Sequence, residues 1–435
     1  MRGEIPRILA YSPSGQSEPG LVVAAGRAGG LGVLDFGFDF RAREAIGSAR
    51  EAARYSDHPL GLRLPAVDLR ASLLRDAPEN LRLLIVVDPE EGDWSRVERE
   101  ARDLGVGLLV EVTSREAAER AQGRTCEGVI LAGLEAGGRC SEESSLILLQ
   151  GALRFQAGPF WVRGGIGLHS AAAVVAAGAR GVVLDGALLL AKESPLSGEE
   201  RDLVGRLDGG ETTLKVDREG RSVRVFLRRD GSNWDDSMVA GESIGFEVGR
   251  IWPIGQDAAF AAPLAARYGT VGGIIQAVDQ SIDASLKVAN RLRPLATGSP
   301  LSREHRTLYP VVQGPMTRVS DTSTFAEAVA EGGALPFLAL ALARGEASRK
   351  LMKETSDRLQ GKPWGVGILG FAPPELRAEQ LGAIRELKPP FALIAGGRPD
   401  QARRLESEGV RTYLHAPSPG LLRQFLKEGA RRFVL

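Results

Sequence analysis

Cysteine is nearly missing: Cys126 and Cys140 are the only two in 435 residues. Two are too few for a disulfide framework or a zinc site, and they fit a reduced, cytoplasmic setting. Net charge is missing as well, since 55 Lys+Arg balance 55 Asp+Glu. That balance excludes a broad electrostatic footprint for nucleic acid or acidic lipid. No apolar run approaches the about 20 residues needed to span a bilayer. The first residues, MRGEIPRILAYSPSG, hold no apolar signal core. The expectation is a chain with no metal, no nucleic-acid partner and no membrane partner.

What the chain does have is rhythm. Short apolar runs at 7–11, 31–36, 60–64, 81–87, 106–112, 127–132, 160–164 and 180–184 alternate with amphipathic stretches such as 41–55, 94–104 and 169–178. Runs without alternation suit strands buried on both faces of a parallel sheet. Eight of them, each followed by a helix, predict an α/β fold of the closed (β/α)8 TIM barrel type over residues 1–195. An open doubly wound sheet is the structural alternative.

Residues 196–300 break the pattern. The spacing predicts a hairpin of 212–217 with 222–228, a loop at Asp230-Gly231-Ser232-Asn233, and helices over 257–268 and 274–292. Pro263 predicts a kink or break in the first of these helices. Residues 293–306, with Pro294, Gly298 and Pro300, read as a linker.

The rhythm then restarts over 301–435 and repeats the first copy. Pro59 aligns with Pro363, Gly105 with Gly409, Ser114 with Ser418 and Leu131 with Leu435, all at one offset. A period of about 300 residues is too long for a solenoid and indicates duplication of a domain. Leu435 falls opposite strand six, so the expectation is an incomplete second TIM-type barrel, a fragment of a longer polypeptide. A trimmed half-barrel is the alternative.

Two turns can carry chemistry. Trp161-Val162-Arg163-Gly164-Gly165-Ile166-Gly167 and Gly181-Val182-Val183-Leu184-Asp185-Gly186-Ala187 each end a strand and open a helix. They are the last two strand–helix turns of the barrel, where backbone amides and a helix N-terminus can hold a phosphate. The alternative is two tight turns that need glycine for geometry alone. Glu135-Ala136-Gly137-Gly138-Arg139 follows strand six on the same face. There Arg139 either holds an anion or is solvated. Among the histidines, His58, His169 and His305 read as packing or surface residues, and His415, at a strand end in the second copy, is the one to test.

Together these residues resemble the FMN-dependent nitronate monooxygenases (2-nitropropane dioxygenases) and their enoyl reductase relatives. The resemblance rests on Ala28-Gly29-Gly30-Leu31-Gly32, Glu135-Ala136-Gly137-Gly138, Gly164-Gly165-Ile166, Gly181-Val182-Val183, Gln313-Gly314-Pro315-Met316 and Glu331-Gly332-Gly333. It covers both barrel regions but not 196–300. The arrangement looks like the tandem flavoprotein region of some polyketide or polyunsaturated fatty-acid synthases.

The resemblance implies FMN over the strand ends. Gly137, Gly138, Gly164, Gly165, Ile166, Gly167, Asp185 and Gly186 would hold it in the first copy, and Gln313, Gly314, Pro315 and Met316 in the second. It also implies a small-molecule or acyl-thioester substrate and other synthase domains as partners. Arg139 stands where the family has a histidine, which argues against proton abstraction there because Arg stays protonated. Tyr11-Ser12-Pro13 replaces the Gln-Gly-Pro-Met pattern of the second copy. Three readings stay open: a flavin-dependent oxidoreductase acting on a nitronate or an enoyl thioester, a non-catalytic scaffold docking synthase modules, and a phosphate-sugar isomerase barrel.

Overall fold

The computed structural model describes residues 4–38, 40–155, 158–217, 219–226, 246, 251–341 and 343–435. They form two compact units, Met1–Lys287 and Val288–Leu435. The expected loop at 230–233 lies outside the described residues, as does the end of the second hairpin strand, 227–228.

In the first unit, β1 (Ile8–Tyr11), β2 (Leu31–Asp35), β3 (Leu60–Pro65), β4 (Leu81–Val87), β5 (Gly107–Val112), β6 (Gly128–Ala132), β8 (Phe160–Arg163) and β9 (Gly181–Leu184) form a closed parallel barrel. β9 closes on β1, with Leu9 opposite Val183. All eight lie where the apolar runs predict. Between β6 and β8 sits a two-residue strand, β7 (Gly138–Arg139).

Period-two alternation sorts each strand into an inner and an outer face. Leu9, Tyr11, Leu31, Val33, Leu83, Ile85, Leu109, Ile130, Trp161 and Val183 pack inside the ring. The helices cover the outside. Helix Val271–Leu292 belongs to that outer shell: its Val271, Ile274, Ile275, Val278 and Ile282 are buried in one cluster with Ile8, Leu21, Ala25, Val182 and Leu184. It therefore serves as the eighth barrel helix, reached only after a long excursion of the chain. Arg7 fastens it by ion pairs to Asp279 and, at 2.9 Å, to Asp283.

The excursion carries the hairpin β10 (Thr212–Val216) and β11 (Ser222–Phe226), with Thr212 opposite Phe226, as the spacing predicts. The other edge of β11 pairs with β7. Phe226, Phe246, Trp252, Ile254, Ala258 and Ala261 give the excursion its own small core. The stretch 257–268 is broken rather than kinked, just ahead of Pro263. A 3-10 turn, Gln256–Phe260, runs into helix Ala261–Tyr268, where Pro263 sits in the first turn and its missing N–H has no partner to lose.

The second unit is a six-stranded parallel sheet ordered β12 (Val312–Gln313), β13 (Leu335–Ala339), β14 (Gly365–Leu369), β15 (Phe391–Ala395), β16 (Arg411–His415) and β17 (Phe433–Val434), curled as a half-barrel. Among the described residues β12 and β17 are its edges. The expected linker 293–306 contains a short helix, Pro300–His305, capped by the Ser299 hydroxyl, which accepts from the Ser302 amide. No helix among the described residues is long and apolar enough to cross a membrane.

Candidate functional site

The C-terminal mouth of the barrel follows from the inner-face alternation. Continuing that face by two residues on β1, β3, β5 and β8 gives Tyr11, Arg63, Glu111 and Arg163. Continuing it on β2 and β9 gives Asp35 and Asp185. Such layers, with four residues from alternate strands, are filled by branched apolar side chains in ordinary barrels. Here all but Tyr11 are charged, and the centre of the layer is buried: Arg63 and Glu111 are 0% exposed and Arg163 is 3% exposed.

Glu111 is the hub. Its carboxylate accepts from Tyr11 Oη at 2.9 Å, from Arg63 Nε at 3.1 Å and Nη2 at 2.6 Å, and from Arg163 Nη1 at 3.2 Å. Arg63 Nη1 reaches Asp35 Oδ1 at 2.7 Å, and Arg163 Nε reaches Asp185 Oδ2 at 2.8 Å. Both guanidinium groups flank the Tyr11 ring, 5.6 and 5.5 Å from its centroid. Burial alone would raise the Glu111 carboxyl, but Arg63 and Arg163 outweigh it and hold it below the usual range. Burial, with Glu111 adding to it, pushes the Tyr11 hydroxyl well up. Such a network is stable only when complete, since one missing partner leaves a buried charge uncompensated.

A lid closes over this layer. Phe38, Phe246, Pro253 and Ile254 line what space remains above Tyr11, Arg163 and Asp185, and that space is about 20 Å³. It has room for about one water. Gly137 lies against the Pro253 carbonyl and Gly138 against the Phe38 ring, so even a methyl group would collide at either position. Gly137 O accepts from Arg163 Nη2 at 2.5 Å. Ile166 is core. The space that the described residues leave at this mouth is too small for a flavin ring.

The other expected residues are placed as follows. Arg139 lies in β7 and turns toward a separate cleft of about 340 Å³ lined by Pro65, Asp88, Glu90 and Arg221. Its Nε is 3.6 Å from Asp217. Burial, reinforced by Arg221, lowers its pKa. Glu135 caps helix Ser145–Ala152, accepting from the Ser145 amide at 2.9 Å and hydroxyl at 2.8 Å. In the second unit, Gln313 ends β12, and its Oε1 accepts from the Phe337 amide at 3.1 Å. Gly314 has open space around it, Pro315 packs on Gly367, and Met316 is 45% exposed. His415 ends β16, half-buried, with Val434 as its strand partner. His305 is buried and bonds the Tyr413 hydroxyl at 2.6 Å.

Sequence reasoning passed over Asp35, Arg63, Glu111 and Arg163. The signal was present: a charge breaks an otherwise apolar strand near its end, in Leu60–Pro65 and Gly107–Val112.

Comparison with solved structures gives the same fold at low identity. FabK from Thermotoga maritima matches with a TM-score of 0.55 and 18% identity, over 66% of this chain and 95% of that one. Nitroalkane oxidase from Streptomyces ansochromogenes matches at 0.53 and 21%, over 64% and 96%. The enoyl reductase domain of MlnA, from the macrolactin biosynthesis cluster of Bacillus amyloliquefaciens, matches at 0.51 and 11%, over 66% and 95%. The matched share takes in more chain than residues 1–195 supply. No protein-family model and no curated protein matches the chain.

Proposed function

We propose that the polypeptide carrying this sequence is a flavin-dependent oxidoreductase of the nitronate monooxygenase and enoyl reductase kind, within a larger polyketide or fatty-acid synthase. In this reading the flavin chemistry belongs to the strand ends of the second unit, and the first barrel is structural. The neighbours in fold support the oxidoreductase class, and an enoyl reductase domain from a biosynthesis cluster among them supports the synthase setting.

One contrast carries the assignment between copies. After the first strand of the first barrel, Tyr11, Ser12, Pro13 and Ser14 are all buried; at the matching place in the second unit, Gly314 and Met316 are exposed. A bound flavin would supply the electron chemistry. The chain's part is positional. Gln313 holds the end of β12 through the Phe337 amide, and the Met316 amide donates to Ser320 Oγ at 2.8 Å, fixing the turn. Gly314 leaves the approach to that turn open.

The filled mouth of the first barrel equally suits the scaffold reading, so flavin content decides. Gentle purification of the polypeptide that carries this sequence is expected to give one flavin per chain, not two. Turnover of a nitronate with oxygen, or of an enoyl thioester with a nicotinamide donor, identifies the reaction. Gly314→Val is expected to cut both flavin content and turnover by roughly tenfold or more, about 1.4 kcal/mol. A folded polypeptide with no flavin would leave the scaffold reading.

A further inference from the structure

We infer that the anion-binding turns of the first barrel have a built-in occupant. The Asp257 carboxyl, delivered by the excursion between β9 and the eighth helix, fills the place a phosphate would take, and this barrel accepts no phosphate-bearing ligand. The inference concerns the first barrel alone and holds whichever way the flavin question is answered for the second unit.

The turns have the backbone shape of a phosphate cradle. Gly164 and Gly165 take φ of 103° and 68°, a region open to glycine. Two of their donors are already used within the chain. The Gly186 amide donates to Asp185 Oδ1 at 2.7 Å, and the Gly167 amide to Ser170 Oγ at 2.8 Å. The space beyond them is taken too. A Cβ on Gly164 would lie 2.5 Å from the Ala136 nitrogen, one on Gly167 would meet the Phe260 ring at 3.0 Å, and one on Gly186 would meet Asp257 Oδ1 at 2.7 Å.

Asp257 is 0% exposed, and neither of its carboxyl oxygens has a hydrogen-bond donor among the described residues. An ionised carboxylate could not stay there beside Asp185. Burial, and then Asp185, raise the Asp257 carboxyl well above its ordinary range. Arg163, the Asp257 proton and the Gly186 amide together overcome burial and hold Asp185 below its own. The two therefore share one proton: Asp185 keeps its charge for Arg163, and Asp257 is the neutral donor. The Gln256 amide, donating to Glu135 O at 2.9 Å, pins the delivering segment to the loop after β6.

Hydrogen exchange with inorganic phosphate and with FMN as probes tests this, because it reads residues 163–170 and 185–190 separately from the second unit. In the unaltered chain neither probe should slow exchange in these segments. Asp257→Ala vacates the place beside Gly186, so phosphate should slow exchange in both segments. Asp257→Asn keeps the volume and a neutral donor, so it should melt with the unaltered chain and ignore phosphate. Protection of either segment in the unaltered chain overturns the inference, as does a folded Asp257→Ala protein that phosphate leaves unchanged. Should Asp257→Ala fail to fold, Asp257→Asn decides: a collapse of that isosteric variant would mean that the carboxyl is needed as a charge.

Discussion

At the scale of the residue, Asp88 shows how the barrel rim sets a titration. It follows β4 with φ of 41°, in the left-handed region, and its Oδ2 is buried without a partner. Burial raises its carboxyl to about 6, Glu111 adds to the rise, and Arg139 opposes it. The folded pKa lies above the unfolded value, so the folded state binds the extra proton. The Asp88 contribution to stability is therefore greatest below about pH 4, falls as pH rises to about 6, and is level above that. Asn tolerates the left-handed region as Asp does, so Asp88→Asn changes charge and little else. Urea melts across this range should show the unaltered chain losing stability relative to Asp88→Asn as pH rises, by at most about 3 kcal/mol at neutral pH. Glu111 and Asp257 explain why the mouth was hard to read from sequence. A charge on a strand can be seen, but its partners, 48 and 52 residues away for Glu111, cannot. Asp257 is one acid in an alanine-rich stretch, and only the closed ring shows that it meets Asp185.

At the scale of the element, strands were the most legible feature because burial on both faces leaves an unbroken apolar run. Pro263 marks the break in 257–268, and Pro300 opens a short helix within 293–306; each occupies the first turn of a helix, where no intrahelical N–H is required. The strand made by Gly138 and Arg139 was not legible at all, because its pairing comes from β11 and not from its own two residues. Close packing of helix on strand is concentrated at Gly32 in β2. A Cβ there would fall 2.3 Å from the Val22 carbonyl oxygen of helix Gly20–Arg27. Gly32→Ala should therefore push that helix outward and cost about 1–3 kcal/mol, measured by chemical denaturation. Gly29, with φ of 87° and nothing near its Cβ position, would respond through backbone strain instead.

At the scale of the whole molecule, the restart of the strand rhythm after 301 was readable from the sequence, and each unit has its own buried clusters. Calorimetry should accordingly resolve more than one transition, since multi-domain chains depart from two-state unfolding. Glu111→Gln strips a carboxylate from two buried guanidinium groups and should destabilise the first unit by about 3–5 kcal/mol. One transition should move while the other stays, and a uniform shift of both would contradict separate cores.

The late return of the eighth helix also has a cost during synthesis. Arg7 finds Asp279 across 272 residues of chain. At roughly 5–20 residues per second, a ribosome needs on the order of 15–60 seconds to supply that helix after the first strand has emerged. Throughout that interval Ile8, Leu21 and Ala25 lack the cover of helix Val271–Leu292, so the nascent barrel should be a client for chaperones until residue 279 leaves the exit tunnel.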